Sequence, residues 1–283
     1  MQIHRVAVVG AGVMGRGIAT TFLRSGFDVT LISRNPAAVR DLPDGIGVTR
    51  DLPADADLVI ESIPERLDLK QDLFRRMDAL YAGKAILASN TSGLPLTEIA
   101  KATHHPEVVV GLHYFQPAEA FEFVELAEVA DTRPDVIERM TAALAKTGKT
   151  ALHLRKPVVG LLINRLQHSM AHEAYRMIDA GVADPATVDL VLKRMLGPRL
   201  SVTGLCEQKD WAGVIMHAQA QMGIVPHLHH DHMPGRCCQQ LAAEGHDGVK
   251  TGRGFYDWTG KDVAALRRKN ADKLRRILAI ANE

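Results

Sequence analysis

The sequence predicts an α/β protein: a doubly wound, mostly parallel sheet over the first half, then an all-helical C-terminal domain. Three observations carry that expectation. Short apolar runs at 6–9, 28–32, 58–63, 84–88 and 108–110 alternate with helical spacing up to about residue 155, as strands buried on both faces do when helices cross between them. Beyond Pro157-Val-Val-Gly160, which reads as a hinge, helical spacing alone remains. The first apolar run also leads through a glycine-rich turn straight into a helix. The domains that follow are 1–156 and 157–283.

A chain of 283 residues can bury two cores. At 46% hydrophobic and 24% charged residues it has the make-up of an ordinary globular protein, and a net charge of +1 offers no pull toward nucleic acid or an anionic membrane. Neither is expected as a partner. Cys206, Cys237 and Cys238 are too few and too clustered for a disulfide framework, which points to a reducing compartment. Residues 1–5 enter a strand with no signal sequence before them, and no apolar run reaches membrane-spanning length. A cytoplasmic protein is expected.

The first strand runs into Gly10-Ala-Gly12-Val13-Met14-Gly15, then helical spacing to Leu23, a stop at Gly26 and a second strand. The three glycines have separate tasks: a tight turn, close backbone approach to a pyrophosphate, and close helix–strand packing. The helix N-terminus adds free N–H groups. A strand before, a helix after and a strand beyond give the motif its specificity for a Rossmann-type dinucleotide site, with Gly10, Gly12, Val13, Met14 and Gly15 as the cradle. The plain alternative is a glycine turn without a ligand. An Asp or Glu about 20 residues on would bind the ribose 2′-hydroxyl of NAD. Ser33 stands there instead, followed by Arg34. A 2′-phosphate then meets no repulsion, and a guanidinium can pair with it. NADP(H) is therefore favoured; the alternative is that Arg34 stacks on the adenine or faces solvent and NAD is used.

Residues 41–57, broken by Pro43, Gly45, Gly47 and Pro53, read as a loop with one small strand. After the strand at 58–63 a helix should turn Leu69, Leu73, Met77 and Leu80 to the sheet. The next strand ends in Ser89-Asn-Thr-Ser92-Gly93, small polar groups where open α/β sheets bind ligands. His113 closes the run at 108–110, and a second strand-like run from Phe121 to Leu126 carries Glu125. The two are symmetric about residue 119, so a chain folding back there sets them across from each other. A carboxylate beside an imidazole fixes its tautomer and stabilises the imidazolium, as a general base requires. A solvated His–Glu strand pair is the plain alternative. Glu65, Ser92 and His113 all fall at strand ends on one edge of the sheet, which favours catalysis.

In the second half, Asn164 sits in the first turn of a helix running through Ile178 to Gly181, where an amide in an apolar run needs a partner or a ligand. Further helices are expected at 185–195, with Asp184 as N-cap, and at 207–222, 233–244 and 260–282. With no sheet of its own, this half should bury its remaining apolar faces against a second copy, as a homodimer. His227-Leu-His-His-Asp-His232, near Cys237 and Cys238, could ligate a metal. Its spacing matches no closed site, and no metal is expected. Lys250, in the glycine-rich turn Gly248-Val-Lys250-Thr-Gly-Arg-Gly254 ahead of three aromatics, could reach an anionic ligand.

Together the stretches Gly10-Ala-Gly-Val-Met-Gly-Arg-Gly-Ile-Ala19, Glu61-Ser-Ile-Pro-Glu65 with Lys70, Ser89-Asn-Thr-Ser92, Gly111-Leu-His-Tyr-Phe115, Glu125, Asn164-Arg165-Leu and Lys250-Thr-Gly-Arg-Gly-Phe-Tyr256 resemble the 3-hydroxyacyl-CoA dehydrogenase family, along nearly the whole chain. The resemblance implies NAD(P)-dependent interconversion of a 3-hydroxyacyl-type alcohol and its oxo form. It makes His113 the base that takes the hydroxyl proton and Glu125 its partner. Ser92 and Asn164 would bind the substrate, Ser92 also lying near the nicotinamide, while Glu65, Lys70 and Lys250 line the cofactor. The sequence departs from the family at Ser33, at Gln116 (an amide one methylene longer than the family's asparagine, on the cofactor and substrate side) and at Val159-Gly160. It also lacks, between Arg34 and Leu58, the helical hairpin that helps hold coenzyme A. A small hydroxy acid or hydroxymethyl compound without coenzyme A is therefore the alternative substrate. A non-catalytic NAD(P)-binding structural or sensor protein is the rival from another class, and the intact His113, Glu125, Ser92 and Asn164 set counts against it.

Overall fold

The computed structural model describes residues 2–281. In order, the first half holds β1 (Arg5–Val9), α1 (Val13–Arg24), β2 (Asp28–Ile32), β3 (Gly47–Thr49), β4 (Leu58–Glu61), α2 (Leu67–Tyr81), β5 (Ile86–Ser89), α3 (Leu96–Ala100), β6 (Val109–His113), β7 (Phe123–Glu128), α4 (Pro134–Lys146) and β8 (Thr150–Leu154). Among the described residues these strands make one eight-stranded sheet in the order β3-β2-β1-β4-β5-β6-β7-β8. All neighbours pair in parallel except β6 and β7. The strand order reverses between β1 and β4, and ligands of such sheets bind outside the strand ends at that point.

Burial follows from this layering. β4, β5 and β6 are buried at every position, so their apolar runs are continuous rather than alternating. The link from β6 to β7, residues 114–122, is too short for a crossover, and the two strands pair antiparallel. β7 starts two residues later than the sequence suggests. Phe121 stays in the connection, where its carbonyl oxygen accepts a 2.6 Å bond from Lys149 Nζ.

The helix α2 is rotated from its expected setting. Leu73 and Met77 are buried as predicted, but Leu69 and Leu80 are 37% and 45% exposed. Its inner face is Lys70, Leu73, Phe74, Met77, Asp78 and Tyr81. Two carboxylates draw Lys70 inward, and Tyr81 Oη donates to the Pro53 carbonyl at 2.6 Å, so polar contacts outvote the apolar spacing.

The chain divides into two compact units after Leu166. The Gly160 hinge stays with the first unit because the Leu162 and Ile163 N–H groups are bonded to Glu125. The second unit is helical: most of α5 (Ile163–Asp179), then α6 (Pro185–Val191), α7 (Gly197–Val202), α8 (Glu207–Ala212), α9 (Val214–Ile224), α10 (Arg236–Ala243) and α11 (Val263–Ala281). Asp184 caps α6 by accepting from Thr187 N at 2.7 Å. The helix expected at 185–195 passes into a π turn at Leu192–Leu196, ahead of Pro198, which has no N–H to offer the α-helical ladder, and runs on without a break as α7, which was not foreseen. The helix expected at 207–222 breaks into α8 and α9 at Gly213, where φ is +97°. Asn282, the predicted last residue of the helix expected at 260–282, lies outside the described residues. Among described residues from 167 on, Gly235 alone is buried. No helix among the described residues is long and apolar enough to cross a membrane.

Candidate active site

β1 enters its turn at Gly10, whose φ of +115° suits glycine and whose added Cβ would lie 2.3 Å from the Ser62 carbonyl oxygen. A Cβ on Gly15 would meet the Gly10 carbonyl oxygen at 1.8 Å. Gly12 differs, because nothing lies within 4 Å of where its Cβ would be. It is the N-cap of α1, and no side chain caps that first turn. The N–H groups of Val13, Met14 and Gly15 are thus left for an external acceptor, and Val13 beside them is 59% exposed. These residues fit a dinucleotide pyrophosphate.

At the end of β2, Ser33 donates its N–H to the Thr49 carbonyl at 2.9 Å, and its hydroxyl accepts from Asn35 N at 3.2 Å. Arg34 is exposed and has no partner among the described residues.

Past β4, Glu65 turns back toward the segment after β5. Its Oε1 accepts from Thr91 Oγ1 at 2.6 Å, Ser92 N at 2.8 Å and Gly93 N at 3.0 Å. Its Oε2 lies 3.1 Å from Lys70 Nζ. Burial pushes this carboxyl up, but the Thr91 hydroxyl, the Lys70 ammonium and the Gly93 N–H outweigh it and bring it down to about 2. Lys70, expected to line the cofactor, is enclosed instead. Its side chain is 1% exposed and its Nζ lies 2.5 Å from Glu61 Oε1, so no surface remains for a cofactor to touch.

The antiparallel register sets His113 directly opposite Glu125, and His113 Nδ1 lies 2.7 Å from Glu125 Oε2. The other oxygen, Oε1, accepts from Leu162 N at 2.8 Å and Ile163 N at 2.9 Å, at the start of α5. Glu125 is fully buried. That burial raises its pKa, yet the bonds from His113, Ile163 and Leu162 overcome it and the net shift is downward. An ionised Glu125 takes the proton-bearing Nδ1, so Nε2 keeps its lone pair. Nε2 has no partner among the described residues. The Phe115 ring stands edge-on to the imidazole at 4.9 Å, and Phe121 follows at 6.0 Å.

Asn164 Nδ2 donates to the Ser92 carbonyl oxygen at 3.0 Å. The first turn of α5 therefore joins the two groups: its N–H donors hold Glu125 and its amide holds the turn carried by Glu65. Gln116 is exposed in the connection beyond His113. Lys250 belongs to the second unit, exposed and paired with Asp247 at 2.9 Å. The histidine-rich stretch is held by His229 Nδ1 with Glu173 Oε2 of α5 at 3.1 Å and by His230 Nε2 with the Val225 carbonyl at 2.9 Å. Among the described residues no group of three or more His, Cys, Asp or Glu is placed to hold a metal ion.

Sequence reasoning missed Glu61 and Asn90 as site residues. Glu61 is fully buried at the end of β4, and Asn90 Oδ1 accepts from Tyr114 N at 2.9 Å, holding the residue after His113. A carboxylate ending an otherwise apolar strand was the available signal for Glu61.

Models of two domains match this chain: the 3-hydroxyacyl-CoA dehydrogenase NAD binding domain over residues 5–49 and 44–157, and the 3-hydroxyacyl-CoA dehydrogenase C-terminal domain over 160–258. The chain belongs to the 3-hydroxyacyl-CoA dehydrogenase family. It is an NAD(P)-dependent dehydrogenase whose first unit is an NAD-binding domain. A family member from Bacillus subtilis, a probable 3-hydroxybutyryl-CoA dehydrogenase, is 31% identical over 92% of this chain and 99% of its own. The 5-formyl-3-hydroxy-2-methylpyridine 4-carboxylate 5-dehydrogenase of Mesorhizobium japonicum is 28% identical over 98% of this chain and 99% of its own. Among solved structures, a 5-dehydrogenase of that same pyridine acid, described as an NAD+ dependent dismutase, superposes with a TM-score of 0.90 at 26% identity, over 99% of both chains. The 3-hydroxyacyl-CoA dehydrogenase of Archaeoglobus fulgidus superposes at 0.72 with 29% identity, over 98% of this chain and 99% of that one.

Proposed function

We propose that this family member interconverts a small hydroxymethyl or hydroxy-acid substrate without coenzyme A and its oxo form, with His113 as the general base. The observation that carries the catalytic part is the 2.7 Å pair of His113 Nδ1 with a fully buried Glu125. The bound nicotinamide supplies the hydride acceptor. His113 Nε2 takes the hydroxyl proton in oxidation and returns it in reduction. Glu125 stabilises the imidazolium, and its bonds to Leu162 and Ile163 N–H keep it from turning away. Asn164 has one amide N–H beyond its bond to Ser92, and with the Ser92 hydroxyl it orients the substrate oxygen. Proton transfer of this kind contributes about 10²–10⁴ in rate.

The substrate class rests on the segment after β2. Residues 36–46 form a short 3-10 turn and a loop where the family has its coenzyme A hairpin. The higher TM-score against the pyridine dehydrogenase than against the acyl-CoA enzyme points the same way. Steady-state assays across hydroxymethylpyridines, small 3-hydroxy acids and 3-hydroxybutyryl-CoA test it; turnover of the thioester alone would overturn the substrate. Full activity in His113→Ala would overturn the mechanism.

For the cofactor, the unpaired Arg34 and the missing carboxylate at Ser33 favour NADP(H) over NAD(H). A second copy of the chain is the proposed partner, because the second unit buries almost nothing by itself. Its helix α9 carries apolar residues on all sides and has none of them buried, a pattern found on helices that are enclosed. Sedimentation at micromolar concentration showing a stable, folded monomer would remove that partner.

A further inference from the structure

Lys70 is a lysine with nowhere to go but two carboxylates. It is fully buried against Glu61, itself fully buried, at the ends of an apolar sheet, and such burial is costly unless every charge is matched. The pair touches neither His113 nor solvent, and nothing in the proposed proton transfer uses it.

The contacts around it form a chain. Glu61 is pinned first: its Oε1 accepts from Ile63 N at 2.8 Å and its Oε2 from Ser89 Oγ at 2.6 Å. Lys70 Nζ bridges from Glu61 Oε1 at 2.5 Å to Glu65 Oε2 at 3.1 Å. The opposite oxygen of Glu65 receives the Thr91 hydroxyl and the Ser92 and Gly93 N–H groups, all within 3.0 Å. Ser92 then offers its carbonyl to Asn164 at 3.0 Å. We propose that Lys70 is a positioning residue: locked by Glu61, it fixes the Glu65 carboxylate beside the 91–93 turn and so sets Ser92 and Asn164 in place for the substrate. The proposal rests on the substrate-binding roles given above to Ser92 and Asn164. Among the described residues Lys70 is the one cation paired with Glu65; the 91–93 turn brings only neutral hydroxyl and N–H donors to it. Without Lys70, Glu65 takes up a proton more readily, and a neutral carboxylic acid holds two N–H donors more weakly.

Lys70→Met alone strands the fully buried Glu61 carboxylate without its counter-charge, so the decisive variant is the double one, Lys70→Met with Glu61→Gln, which removes one charge of each sign. Two measurements are made on it. In the first, the Ser92 and Gly93 amide signals, assigned against Glu65→Gln, are followed by NMR from pH 7 to 4. They stay flat in the wild type and titrate together in the double variant. In the second, kcat for NADH- or NADPH-driven reduction of pyridine-4-carboxaldehyde is followed over the same range. The readout is the ratio of the double variant's kcat to the wild type's, which cancels protonation of the substrate's ring nitrogen, and this ratio falls at least tenfold from pH 7 to 4. A folded double variant with flat amides and the wild-type pH profile overturns the proposal, even if its Tm has dropped. Failure of the wild type to reduce the aldehyde counts against the substrate class only, and the amide titration then decides the role of Lys70.

Discussion

Replacing Glu125 by glutamine keeps the shape of the side chain and changes what each of its ends can do. In the wild type three donors converge on it: His113 Nδ1–H, Leu162 N–H and Ile163 N–H. A glutamine offers one oxygen and one NH2. With the oxygen toward His113, the NH2 would confront two backbone N–H groups and leave both unpaired, at about 1–3 kcal/mol each. With the oxygen toward Leu162 and Ile163, only the His113 contact changes, so this arrangement wins. The NH2 then donates to Nδ1, the imidazole proton moves to Nε2, and the lone pair that should take the substrate proton is gone. The expected loss in kcat is about 10²–10⁴, the whole of the general-base contribution. Stability falls by about 1–3 kcal/mol from the lost charge-assisted bond, a Tm decrease of roughly 2–4 °C per kcal/mol for a domain of this size. Cofactor affinity, measured by quenching of protein fluorescence, stays within threefold of wild type. A variant with more than a third of the wild-type kcat would show that the tautomer argument is wrong.

Other perturbations separate parts of the site. Gly12→Ala should melt within 2 °C of wild type, since nothing lies within 4 Å of the added Cβ, but should weaken dinucleotide binding at least tenfold; Gly15→Ala, clashing with the Gly10 carbonyl, should fail to fold. Equal Tm values for the two would contradict the packing described for the turn. Arg34→Asp should reverse a preference for NADPH over NADH in direct binding titrations, and equal wild-type affinities would end the case for Arg34. Asp57 immediately precedes β4, at the opposite end of the central strands from Glu61. Burial raises its pKa, but the Arg5 side chain and the Arg5 and His4 N–H groups outweigh that and bring it to about 2. A carboxyl held below its unfolded value adds stability above about pH 4 that is lost as pH falls toward 2. Asp57→Asn should therefore cost about 1–2 kcal/mol at pH 7, with the gap to wild type closing on acidification; a gap constant with pH would refute the linkage.

Much of this site is legible in one dimension because its parts are local. The glycine spacing encodes a turn whose steric demands arise within a few residues, as at Gly10 and Gly15. His113 and Glu125 are twelve positions apart, and a short connection between two strands leaves them little freedom but to face each other. The absent hairpin between Arg34 and Leu58 needs only counting. The apolar face of α2 misled by one position for the opposite reason: spacing weighs side chains by hydrophobicity, and the lysine that turned inward did so for carboxylates that lie on other elements.

By itself, then, the chain determined a dinucleotide-binding sheet, the histidine–glutamate pairing and a helical second half. Only the tertiary structure decided that the start of α5 grips Glu125, 37 and 38 residues downstream, that Lys70 is walled in between Glu61 and Glu65, and that Asn164 spends an amide N–H on Ser92. Backbone periodicity reports which face of an element is apolar. Where a buried charge finds its counter-charge depends on which loops the fold sets side by side, and no local spacing records that.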